Sequence, residues 1–183
     1  MIIRENYLNQ IRPYIGKPVI KVITGIRRCG KSTFLKMIRI SLDERNIPAE
    51  NIIFINKDSL QFDFIKNYLD LDGFVKSKAQ GLQGEVYLFI DEIQEIEGWE
   101  KAVSGFLADQ VADLYITGSN SRLLSSELAT YISGRYIEFK MNPLTFSEFL
   151  KFREGKGTGN PDQEFGLFMK YGGFPGIHHM EQD

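Results

Sequence analysis

A chain of 183 residues with 43 % hydrophobic content can bury one full core and holds one domain with room for a small appendage. Its formal charge of −2 gives no global field for nucleic acid or an anionic membrane, and its one cysteine, Cys29, excludes an internal disulfide. There is no secretory apolar segment at the start, no apolar run near the roughly eighteen residues of a bilayer span, and no metal-type Cys or His spacing. The expectation is a cytoplasmic chain without structural zinc.

Residues 4–15 place Tyr7, Leu8, Ile11 and Ile15 at helical spacing, and Gly16 to Pro18 ends this lead-in helix. An apolar strand over residues 19–24 then runs into Gly25-Ile26-Arg27-Arg28-Cys29-Gly30-Lys31-Ser32, followed by Thr33. This fits the phosphate-loop spacing of two glycines with four residues between them and Lys-Ser after the second. A helix is expected over residues 31–45, with Phe34, Leu35, Ile38 and Leu42 on one side, stopped at Asn46 to Pro48. In that setting backbone N–H groups can wrap a polyphosphate at the positive end of a helix. Lys31 reaches the β and γ phosphates, and Ser32 holds Mg²⁺. A glycine turn capping a surface helix is the plainer alternative, disfavoured by the flanking strand and helix.

The second strand is expected at residues 51–56 and a helix at 62–78, closed by Gly81 and Gly84. Residues 86–90 form an unbroken apolar run of the kind buried on both faces of a parallel sheet, and it stops at Asp91-Glu92. This is a Walker B signature: Asp91 binds Mg²⁺ through water, and Glu92 orients and deprotonates the attacking water. Two acids at a strand end are commonplace alone; about sixty residues after Lys31-Ser32 they favour the catalytic reading.

A helix over residues 99–109 follows, with packing the default role of Trp99. The fourth strand is expected at 113–117. Residues 118–121 turn into a helix carrying Leu123, Leu124, Leu128 and Tyr131. Ser119 and Asn120 match a polar sensor position beside the γ phosphate, with helix N-capping as the alternative. The fifth strand covers 135–140, and a capped helix covers 145–153. Gly-rich residues 155–161 are a flexible linker, and a last helix spans 162–170 before Tyr171 to Pro175. Strands alternating with crossover helices imply an α/β fold with a mainly parallel sheet, whose ligands bind at the carboxyl ends of the strands. The chain divides into a core over 1–153, a linker over 154–161 and the start of a lid or C-terminal region over 162–183.

The words GIRRCGKST, YLFIDEIQEIEGWE, YITGSNSRLLSSE, SGRYIEFKMNPLTFSEFL and YGGFPGI together resemble the ATPase domain of a prokaryotic AAA-type family whose longer members carry a C-terminal domain of unknown function. The resemblance covers nearly the whole chain. It implies a three-layer P-loop NTPase fold of the additional-strand catalytic glutamate type, sheet order 5-1-4-3-2, with ATP and Mg²⁺ as ligands. Gly173 and Pro175 match a glycine and proline motif that neighbouring signalling ATPases carry near the lid. Arg135 resembles the family's arginine near the fifth strand, which stabilises transition-state charge in a neighbouring subunit; surface pairing with Glu138 is its alternative. Arg4 and Tyr7 lie where the lead-in helix approaches the base, adenine contact standing against packing.

Arg27 and Arg28 are expected to point to solvent or a partner, since the loop contacts phosphate through its backbone. Cys29 is open to alkylation if neighbouring positive groups lower its pKa. His178 and His179 are read as solvated tail residues. The leading functional expectation is Mg²⁺-dependent ATP hydrolysis with an unknown protein partner or a homo-oligomer. The alternatives are a slow-turnover switch acting on a protein or DNA partner and, below that, a nucleic-acid motor built around Asp91-Glu92-Ile93-Gln94.

Overall fold

The computed structural model describes residues 3–119, 134–154 and 160–176. Its five strands are β1 (Ile20–Gly25), β2 (Ile52–Asn56), β3 (Tyr87–Asp91), β4 (Asp113–Ser119) and β5 (Tyr136–Met141), in the order β2-β3-β4-β1-β5. This is the expected 5-1-4-3-2 order read from the other edge. Every neighbouring pair is parallel, so each connection crosses the sheet and the strands' carboxyl ends share one side. β1 lies between β4 and β5 with all six residues buried.

The strand period of two divides the core into two layers. Ile20 and Val22, Leu88 and Ile90, and Leu114 and Ile116 pack with Leu71 and Val75 of α3 (Tyr68–Ala79) and Val103 and Phe106 of α4 (Trp99–Ala108). Ile23, Phe89, Tyr115 and Phe139 pack on the other face with Leu8 and Ile11 of α1 (Glu5–Ile11) and Phe34, Leu35 and Ile38 of α2 (Lys31–Asp43). Phe89 and Tyr115 stack across β3 and β4 at 4.6 Å between ring centroids. Trp99 is buried in the first layer, as its packing role required.

A charged network closes the amino ends of the strands. Lys21, fully buried, pairs with Asp113, and its Nζ also donates to the Lys17 carbonyl at 2.8 Å. The second Asp113 oxygen accepts from Tyr115 Oη at 2.7 Å and from the Gly16 N–H at 2.9 Å. Burial pushes the Lys21 ammonium below its ordinary value against the opposing pull of Asp113, and pushes the Tyr115 phenol up. An apolar run such as residues 19–24 gives no warning that its one lysine points inward.

Element boundaries move for identifiable reasons. Pro13 turns the end of the lead-in helix into a 3-10 turn over Arg12–Tyr14. The expected helix at 62–78 begins only at Tyr68, because Asn67 and Asp70 form a reciprocal capping box: Asn67 Oδ1 accepts from the Leu69 and Asp70 N–H groups, and Asp70 accepts from the Asn67 N–H. Leu60–Phe62 is a separate 3-10 turn. The helix expected around Leu123, Leu124, Leu128 and Tyr131, most of the expected linker, and His178 and His179 lie outside the described residues.

After β5 the chain forms α5 (Phe146–Phe152) and α6 (Pro161–Tyr171). Phe168 packs on Phe146 and Phe149 at 5.5 and 5.3 Å, and Arg153 pairs with Glu164 at 2.6 Å. Beyond α6, the Gly173 carbonyl accepts from the Leu144 N–H at 2.7 Å. A Cβ on residue 173 would sit 2.2 Å from the Leu144 oxygen, so this close approach demands glycine.

Candidate nucleotide site

β1 ends at Gly25 and α2 begins at Lys31, and the six residues from Gly25 to Gly30 shape the turn between them. Gly25 is wedged in place: a Cβ there would meet the Met141 carbonyl at 2.5 Å and Cys29 Sγ at 2.7 Å. Gly30 caps α2 in the left-handed region at φ 105°, and Arg28 also has positive φ, at 68°. The helix N-terminus, with its free N–H groups and positive dipole end, therefore faces the concave side of the loop.

The loop opens on a cleft of about 1170 Å³, walled by residues 3–6 at the start of α1, residues 27–33, and Leu144, Phe152 and Pro175 from the α5 and α6 side. Asp58 and Glu92 also line it. Pro175 comes close to the loop, its Cγ 4.0 Å from where a Cβ on Gly30 would stand. Ile26, Arg27 and Arg28 are exposed, and for the two arginines this is the expected orientation. Ser32 and Thr33 occupy the first turn of α2.

Lys31 and the acid pair converge at this cleft. Lys31 is buried, donates to the Gly25 carbonyl at 3.2 Å and lies 3.8 Å from Glu92 Oε1. Asp91, 1 % exposed, ends β3 and accepts a hydrogen bond from Thr117 Oγ1 at 2.5 Å. Thr117 Oγ1 in turn accepts from the Glu92 N–H at 3.0 Å, so one hydroxyl on β4 holds both acids in place. Glu92 itself has left-handed backbone, φ 55° and ψ 51°, an uncommon conformation for a residue with a side chain. Gln94 Nε2 donates to Glu92 Oε2 at 2.6 Å. Sequence reasoning singled out neither Thr117 nor the amide role of Gln94, although both lie in the motif words.

The remaining expected residues divide. Ser119 ends β4 directly beside Gly25; its side chain, and Asn120 entirely, lie outside the described residues. Arg135 precedes β5 at the opposite end of the sheet, where its carbonyl accepts from the Ile20 N–H at 2.9 Å, so it cannot serve the cleft of its own chain. Glu138 accepts from Thr24, and no ion pair joins it to Arg135 among the described residues.

Arg4 is a strut. Its guanidinium pairs with Glu148 at 2.8 and 2.9 Å and donates to the carbonyls of Asn142 at 2.9 Å, Cys29 at 3.3 Å and Pro143 at 3.4 Å. Its polar face is thus committed to the protein. Burial pushes the Glu148 carboxyl up, but the bonds from Arg4 and Thr145 outweigh it and leave it below the ordinary range. Tyr7 accepts from the Asn142 N–H at 3.1 Å and packs edge-on against Phe34.

The condition on which Cys29 would be open to alkylation, a lowered pKa, is not met. The side chain is fully buried, and burial raises its thiol above the ordinary value more than Lys31 and Arg4 lower it. A raised pKa means less thiolate at neutral pH, and burial denies access. A thiol-disulfide reagent should therefore react with the folded chain at pH 8 about a hundredfold or more slower than with the urea-unfolded chain. Equal rates would show that the loop opens freely.

A family model described as "AAA domain" matches residues 17–150, which hold all five strands and both halves of this site. The chain belongs to this AAA domain family. It is similar to an uncharacterised protein of Haemophilus influenzae, 42 % identical over 178 residues, covering 97 % of this chain and 44 % of that protein. It is also similar to an uncharacterised protein of Methanocaldococcus jannaschii, 37 % identical over 172 residues, covering 90 % of this chain and 37 % of that protein. This AAA domain therefore spans less than half the length of these two relatives.

Solved structures share the fold. The ORC1 protein of Aeropyrum pernix, in complex with DNA, aligns with a TM-score of 0.59 at 13 % identity, over 93 % of this chain and 56 % of that one. The Holliday junction branch migration motor RuvB of Thermotoga maritima aligns with a TM-score of 0.52 at 20 % identity, over 92 % and 52 %. Family and fold together make the AAA domain a nucleotide-binding, ATPase-like module. Among its described residues no helix is long and apolar enough to cross a membrane.

Proposed function

We propose that this AAA domain binds ATP with Mg²⁺ in the cleft and hydrolyses it to ADP and phosphate. The observation that carries this reading is the approach of Lys31 and Glu92, 3.8 Å apart, at the mouth of the loop from Gly25 to Thr33. The loop N–H groups and Lys31 bind the phosphates. Glu92 takes a proton from the attacking water, and Ser119 or Asn120 serves as the polar sensor. Pro175, near Gly30, closes over the bound nucleotide with α6, consistent with a lid that starts in residues 162–183 after a core over 1–153. Arg4, as a strut, shapes the base pocket rather than reading the base.

The donor set suits the metal. The Ser32 hydroxyl and the Asp91 carboxylate are hard oxygen ligands of the sort Mg²⁺ takes alongside phosphate oxygens, and Thr117 orients Asp91. Bound there, Mg²⁺ supplies neutralisation of phosphate charge.

Removing the Lys31 ammonium tests the binding half of the proposal. Lys31→Ala should weaken ATP about ten- to a hundredfold in equilibrium titration, the worth of charge-assisted bonds to a phosphate. Unchanged affinity would put the phosphates elsewhere. A second reading, a slow nucleotide-dependent switch in the cytoplasm, is favoured by the place of Arg135. With that arginine at the other end of the sheet from its own cleft, full turnover requires a neighbouring copy to present it. Tight ATP binding by isolated chains, with release appearing only as they assemble, is the behaviour that would support this switch.

A further inference from the structure

The geometry points to Gln94 as the positioning residue of Glu92, holding one carboxylate oxygen so that the other acts as the base. The inference rests on Glu92 being the base, as proposed above. Gln94 Nε2 lies 2.6 Å from Glu92 Oε2 and 3.5 Å from Glu95 Oε1. The amide must face Glu92 with its nitrogen, since its carbonyl would set oxygen against an anionic oxygen. With Oε2 engaged by Gln94, Oε1 is the more open acceptor, and it is the oxygen turned to Lys31 and so to the incoming phosphates.

Two further features show that the turn is built for this contact. Left-handed backbone at Glu92 folds the chain into the 3-10 turn Ile93–Glu95, which returns the Gln94 side chain to Glu92, two residues back. The Glu92 N–H is tied to Thr117 and its carbonyl accepts from the Glu95 N–H at 3.1 Å, so the backbone is held independently of the carboxylate. Gln94 also bears a cost that packing alone does not explain: its Oε1 is buried without a hydrogen-bond partner among the described residues. A Met or Leu would fill the space without an unsatisfied acceptor. The amide is explained by what its nitrogen does.

The test compares the parent chain with Gln94→Ala and with the isosteric Gln94→Glu, which sets a carboxylate against Glu92. Both variants should lower kcat for phosphate release about tenfold or more, and Gln94→Ala should keep ATP affinity within about threefold, because Gln94 does not line the cleft. Turnover within twofold of the parent in both variants would overturn the assignment. A readout without turnover separates the two claims. In ¹H–¹⁵N spectra the Gln94 side-chain amide, identified by its loss in Gln94→Ala, should shift when Glu92→Gln removes the charged acceptor. If the parent releases no phosphate at concentrations where its copies assemble, the hydrolysis reading falls, and this signal alone decides the Gln94 contact: a shift upholds it and an unmoved signal refutes it.

Discussion

Glu92→Gln should bind ATP and release almost no phosphate. The substitution keeps the side chain's length and planar shape and removes its capacity to accept a proton. A positioned general base contributes about 10² to 10⁴ in rate, so steady-state release should fall at least about a hundredfold. Affinity should hold or rise, since the change deletes a negative charge 3.8 Å from Lys31, the proposed phosphate ligand. Equilibrium ATP titration beside a phosphate-release assay separates the two effects. Release at the parental rate would remove Glu92 from the base role, and with it the purpose assigned to Gln94.

The largest loss of stability should come from Asp113→Ala, far from the cleft. Lys21 is fully buried, and Asp113 is its counter-charge as well as the acceptor for Tyr115 and Gly16. Removing one member of a buried ion pair costs about 3–5 kcal/mol, because the other charge is left in a low-dielectric interior. Domains of this kind have about 5–15 kcal/mol in total, so the urea midpoint should drop steeply. Adding Lys21→Met to the same chain should recover much of that loss, since an apolar side chain of similar length needs no partner. A single variant that loses under about 1 kcal/mol would mean that water already reaches Lys21.

Much of the sheet was readable because β1, β3 and β4 are largely apolar runs that meet a glycine or an acid, and the helices between the strands left only a parallel arrangement. The loop and the pair Asp91-Glu92 were readable for the same reason: their chemistry sits in consecutive residues at a strand end. What brings Thr117 to Asp91 is the pairing of β3 with β4, a contact between positions 26 residues apart that no local spacing reveals. The Arg4 to Glu148 clamp spans 144 residues and was equally invisible. Cys29 misled because charged sequence neighbours suggest a lowered pKa, while the fold turns the sulphur inward against Gly25. Capping boxes fall between these cases: Asn67 to Asp70 can be read locally, yet the apolar period before it hid the boundary.

The wedging of Gly25 bears on how fast a nucleotide can be captured. The loop is shaped by the Met141 carbonyl, the inward Cys29 sulphur and the start of α2, none of which depends on a ligand. The entropy of ordering it was therefore spent during folding, and a polyphosphate bound as proposed above would meet N–H groups already oriented. Capture then runs as a simple second-order encounter. Its observed rate climbs in proportion to nucleotide concentration instead of levelling off at the speed of a loop rearrangement.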